Sequence, residues 1–84
     1  MNRWITIMAG GPQDGEQFPR DFYEPRATPP ALRAADGRVC CPVATHIDTT
    51  HARCVVVHPE ATEAQIERAV DTMLEGETGR SDRV

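Results

Sequence analysis

The sequence predicts an α+β fold, with a small, mainly antiparallel sheet of about three to five strands covered by one C-terminal amphipathic helix. Three observations carry this. Residues 62–75 hold a helix-period apolar stripe behind a capping signal, residues 53–58 form the apolar run RCVVVH, and residues 3–9, RWITIMA, are rich in strand formers. At 84 residues the chain makes one small domain, near the size at which a single core becomes marginal. We expect that domain over residues 1–75 and a disordered tail over 76–84, where GETGRSDRV offers no apolar anchor before Val84.

The elements follow in order. Trp4, Ile5 and Ile7 place a strand at residues 3–9. The run GGPQDG at 10–15 stops it, because Gly10-Gly11-Pro12 breaks the ladder and Asp14-Gly15 suits a tight turn. A short return strand runs through Glu16, Gln17 and Phe18, limited by Pro19. Residues 19–30, PRDFYEPRATPP, carry four of the seven prolines and read as an extended connection. Asp36-Gly37 predicts a hairpin joining Ala31–Ala34 to a strand that begins near Arg38. The run at 53–58 is the next strand. Thr62-Glu63-Ala64-Gln65 is a capping box. Ile66, Ala69, Val70, Met73 and Leu74 then form one stripe, and Gly76 suits a helix stop.

Residues 40–58, CCPVATHIDTTHARCVVVH, hold all three cysteines and all three histidines. Strand parity predicts that Val39, Val43 and Ile47 are buried beside Val55 and Val57, with Val43 opposite Val57 and Cys41 in the core. The other face then collects Cys40, His46, Cys54 and His58, a set whose residue types suit a metal-binding or thiol-redox module. Geometry opposes a single ion. His46 faces Cys54, while Cys40 and His58 lie about four residues along, or about 13 Å at about 3.3 Å per residue. Zinc ligands all sit about 2.0–2.3 Å from the metal. No metal site and no cofactor are therefore expected, and the hairpin reads as scaffold.

Adjacent cysteines point to opposite faces of a strand, so Cys40 and Cys41 cannot pair without strain. An odd cysteine count also opposes a secreted disulfide scaffold. No segment is long and apolar enough for a membrane span, and residues 1–8 lack a secretory pattern. We expect a cytoplasmic protein. The net charge of −4 and the scattering of the arginines oppose binding to nucleic acid or anionic membrane. No P-loop, G-x-S-x-G, H-E-x-x-H or C-x-x-C motif occurs, and we expect no enzyme.

The segment ITIMAGGPQDGEQF resembles the start of many short bacteriophage and prophage proteins, which open with a strand, a GGPxDG turn and a return strand. Gly10, Gly11, Pro12, Asp14 and Gly15 match that pattern. Gln17-Phe18-Pro19 departs from the valine-rich return strand of those proteins. The resemblance implies a small accessory protein that works by binding, of the class that includes phage inhibitors of host defence such as anti-CRISPR proteins.

The expected function is accordingly a non-enzymatic protein-interaction module with a protein partner. Two surfaces are candidates: the acidic helix face of Glu63, Glu67, Asp71 and Glu75, and the aromatic loop around Phe22 and Tyr23. A structural homodimer, pairing through an open sheet edge or face, is a further reading for so thin a core.

Overall fold

A computed structural model describes residues 2–22, 29–47 and 52–82, with side chains described within 3–21, 29–47 and 52–74. Five strands and one long helix follow in order: β1 (Asn2–Ala9), β2 (Gln17–Phe22), β3 (Leu32–Arg33), β4 (Val39–Ile47), β5 (Ala52–Val57) and α1 (Glu63–Asp82), with a short 3-10 turn at Gly11–Gln13. The strands form one sheet in the order β2-β1-β5-β4-β3. The β1–β2, β4–β5 and β3–β4 pairs are antiparallel, and β1 lies parallel to β5. The fold is the expected α+β class.

β2 extends past Pro19, which sits opposite Ile5. A proline cannot donate to a ladder, and this edge position tolerates it because, among the described residues, one side of the strand has no sheet neighbour. The turn before β2 is closed by Gly15 N–H donating to Met8 O at 2.9 Å.

The sheet buries both faces. On the helix side Ile7, Ala9 and Val55 pack with Ala69 and Met73, flanked by Ala44, Val57, Ile66 and Val70. On the opposite side Trp4, Met8, Ala34, Cys40, Cys54 and Val56 form a second cluster, flanked by Phe18, Leu32 and Ala52. A strand buried on both faces reads as an unbroken apolar run rather than an alternation, which is why β5 carries Cys54-Val55-Val56-Val57. At about 25 cal/mol per Å² of apolar surface, these two clusters supply most of the drive to fold.

The predicted hairpin register is corrected by a bulge. Cys41 pairs with Val57 and Ala44 with Val55, so β4 spends three steps where β5 spends two. The extra residue, Val43, has no partner and is 57% exposed. A bulge of this kind inserts one residue and reverses the parity of everything beyond it. Val55 and Val57 pack on the helix side as expected. Ile47, beyond the bulge, is turned to the face of Ala52 and is exposed, while Val39, before the bulge, keeps its parity and is exposed as well. Cys41 lies opposite Val57 but is exposed rather than buried, whereas Cys40 is buried on the other face, in the cluster with Cys54 and Val56. His46 faces Arg53, and Cys54 faces Thr45 instead.

The capping box forms as predicted. Thr62 N–H donates to Gln65 Oε1 at 2.8 Å and Gln65 N–H to Thr62 Oγ1 at 3.2 Å. Leu74, expected on the buried stripe, is 46% exposed, whereas Met73 is buried. The helix also continues beyond Gly76, the expected stop. Glycine within a helix costs about 1 kcal/mol relative to alanine and does not by itself end one.

Candidate interaction surface

The conspicuous histidine and glycines converge at the end of the sheet where β1 and β5 both finish. Ala9 O accepts from His58 N–H at 2.9 Å, continuing the parallel ladder by one residue. The His58 ring is buried with Nε2 2.8 Å from Asp36 Oδ2, while Nδ1 accepts from Glu60 N–H at 3.0 Å. An acceptor role for Nδ1 places the ring proton on Nε2, where it is donated to the carboxylate. Asp36 also accepts from Arg38 N–H at 3.0 Å. The Arg38 backbone donor and the His58 ring hold the Asp36 carboxyl below its ordinary value, against a smaller opposing push from burial.

Gly10 and Gly11 make this closure sterically possible. Both have positive φ, 84° and 75°, which favours glycine. A Cβ on Gly11 would fall 2.6 Å from His58 Cγ, and one on Gly10 would strike Ala61. Asp14 then ties the turn together, accepting from Gly10 N–H at 2.7 Å and from Arg68 at 3.2 Å. Gln13 Oε1 accepts from Ala35 N–H at 2.9 Å, fastening the turn to the β3–β4 hairpin. The polar groups at this end satisfy one another, so they act as a clasp.

The other ligand types are dispersed. Cys40 and Cys54 lie in the cluster away from the helix, and His58 is held in the clasp. Burial, and then the Asp36 charge, push the Cys40 thiol up, which keeps it protonated and unreactive. Cys54 Sγ instead approaches Thr6 Oγ1 at 3.7 Å. Among the described residues, no group of three His, Cys, Asp or Glu side chains could hold one metal ion. Between the turn and α1 runs a shallow groove of ≈ 200 Å³, with Ile7 and Ala69 among its apolar lining and the Asp14–Arg68 pair among its polar lining.

The acidic helix face forms as a surface feature. Glu63, Glu67 and Asp71 are all exposed at successive i, i+4 positions, a row about 12 Å long at 1.5 Å per residue. None of the three has an ion-pair partner among the described residues. The carboxylates around them do: Asp14 pairs with Arg68, Glu60 with Arg38 and Asp21 with Arg3. Glu75 lies on α1 and Phe22 ends β2, but both side chains fall outside the described set, and Tyr23 lies outside the described residues.

Sequence reasoning missed the Asp36–His58 and Asp14–Arg68 contacts. Their only signals were Asp-Gly dipeptides, which read as turns. No helix among the described residues is long and apolar enough to cross a membrane. Comparison with known proteins yields no matching family model, no matching curated protein and no matching solved structure.

Proposed function

We propose that this chain is a non-enzymatic protein-interaction module that presents the outer face of α1 to a basic surface on a partner protein. The observation that carries the reading is the contrast among carboxylates. Asp14, Glu60 and Asp21 are matched by arginines, while Glu63, Glu67 and Asp71 stand exposed in a row without one among the described residues. An unmatched row of like charge costs a little helix stability and gives a basic partner both steering and register. The buried stripe opposite fixes the row on a rigid support. The narrower reading, a phage-encoded inhibitor of a host protein, rests on the resemblance of residues 5–18 to short phage proteins.

The test is affinity capture from a bacterial lysate with the wild-type chain and with the triple variant Glu63→Lys/Glu67→Lys/Asp71→Lys. A specific partner retained by the wild type and lost by the variant, with affinity that falls as salt rises, is the expected result. Capture that survives the charge reversal would sink the reading.

A further inference from the structure

Two Asp-Gly pairs occur in the sequence, Asp14-Gly15 and Asp36-Gly37. Such pairs are prone to spontaneous isomerisation, because glycine brings no side chain to shield its amide nitrogen and lets the backbone turn freely. The fold restrains both. Gly15 N–H donates to Met8 O and Gly37 N–H to Ala34 O, each at 2.9 Å, which occupies both nitrogens. The carboxyl groups are held as well, Asp14 by Gly10 N–H and Arg68, Asp36 by Arg38 N–H and His58. Reaction at either pair therefore requires its turn to open.

The two turns differ in what keeps them shut. The Asp14 turn joins β1 to β2, which share six paired positions, and α1 reaches it through Arg68. The Asp36 turn joins β3 to β4 through two paired positions only, at the end of the sheet. Asp36 and Gly37 are both exposed. This turn is tied to the rest of the chain by the Asp36–His58 contact, the Gln13–Ala35 bond and the exposed Arg38–Glu60 pair. Of these three, the first alone engages a fully buried side chain. Short edge elements open locally at a free energy well below that of global unfolding.

We propose that Asp36 is a self-modification site, at which the chain converts to an isoaspartyl linkage, and that His58 is its guard. When the turn opens, the Gly37 nitrogen attacks Asp36 Cγ. The N–Cγ bond forms, the carboxyl C–O bond breaks, and the hydroxyl leaves with the amide proton as water. Water then adds to the Asp36 backbone carbonyl in the succinimide ring and breaks its bond to the Gly37 nitrogen. The main chain now runs through Cβ and Cγ, and the carboxylate sits on Cα. One water is lost and one regained, so no further reactant is needed. The product carries one more main-chain carbon in the turn, and its carboxylate lies one carbon nearer the backbone, short of the His58 ring. The acidic row on α1 plays no part in this chemistry, and neither proposal depends on the other.

The test is to age the full chain in neutral buffer, native and in urea, and to quantify isoaspartate by peptide mapping with electron-transfer fragmentation. In the native chain Asp36 should convert about tenfold or more faster than Asp14, whereas in urea the two sites should react at similar rates. His58→Phe keeps a ring against Gly11 but loses both hydrogen bonds. It should accelerate Asp36 by about tenfold and leave Asp14 unchanged. Native conversion at Asp14 as fast as at Asp36, or no native conversion at Asp36 while the urea sample reacts, overturns the proposed site. A folded His58→Phe that ages like the wild type overturns the guard. If circular dichroism shows that variant unfolded, the wild-type comparison of the two sites decides alone.

Discussion

Asp36 shows how much a single side chain can hold in a chain of this size. It receives the Arg38 backbone donor and the His58 ring proton at once, bridging the β3–β4 turn to the end of β5. Its folded-state pKa is depressed below the ordinary 3.8. The sign of the linkage follows: the stabilisation is fully present above the ordinary value and is lost as pH falls through the folded one. Stability measured by urea titration should therefore decline more steeply on acidification in the wild type than in Asp36→Asn. Asparagine keeps an acceptor for the His58 Nε2 proton but cannot titrate. The variant should retain some slope, since hydrogen bonding to Arg3 likewise holds Asp21 below its ordinary value. Equal acid sensitivity in the two proteins would show that Asp36 is not a principal acid-labile contact.

At the scale of elements, α1 and β4 mark what the residues disclose and what they withhold. The capping box at Thr62 and Gln65 and the Ile66–Met73 stripe were legible because both are local, set by hydrogen bonds and spacing within one turn. Leu74 was not placed correctly, because which flank of a stripe faces the sheet depends on where the sheet lies. Met73→Ala should cost about 2–5 kcal/mol, as deletions of buried large side chains do. Leu74→Ala should stay within about 0.5 kcal/mol. Thermal or urea unfolding of the two variants checks this, and equal losses would place both residues in the core. β4 was misread for a different reason. Val39, Val43 and Ile47 share parity only if the strand is uniform, and the unpaired Val43 breaks that uniformity. Nothing in CCPVATHI announces a bulge except Pro42 beside it.

The candidate site divides in the same way. That Glu63 and Glu67 share an exposed flank of α1 could be read from helical period. That they lack arginine partners among the described residues, while Asp14 and Glu60 have them, depends on contacts across long stretches of chain. The Asp14–Arg68 pair joins the first turn to the helix, and no periodicity encodes it.

For the whole molecule, the decisive feature is the parallel contact between β1 and β5. Short strands and turns were visible in the sequence, but the pairing of residues 4–9 with residues 52–57 leaves no local trace. It puts the first and last strands at the centre of the sheet, with β2 and β3 at its edges. Amide exchange should follow that order. The β1 and β5 amides should be the slowest, approaching the global unfolding limit, and those of β2 and β3 the fastest. Hydrogen–deuterium exchange resolved by peptide tests the ranking, and protection of β2 equal to that of β5 would contradict it.

The same arrangement has a consequence for how the chain is made. When residues 2–22 leave the ribosome they can form only the β1–β2 hairpin, and an isolated hairpin is marginally stable in water. The inner flank of β1, with Ile7 and Met8, must then wait for residues 52–57 to be synthesised before its neighbour exists. The helix that covers Ile7 is later still. Between the emergence of β1 and that of β5 the future centre of the sheet therefore lacks its neighbour, and the sheet closes only after β5 arrives.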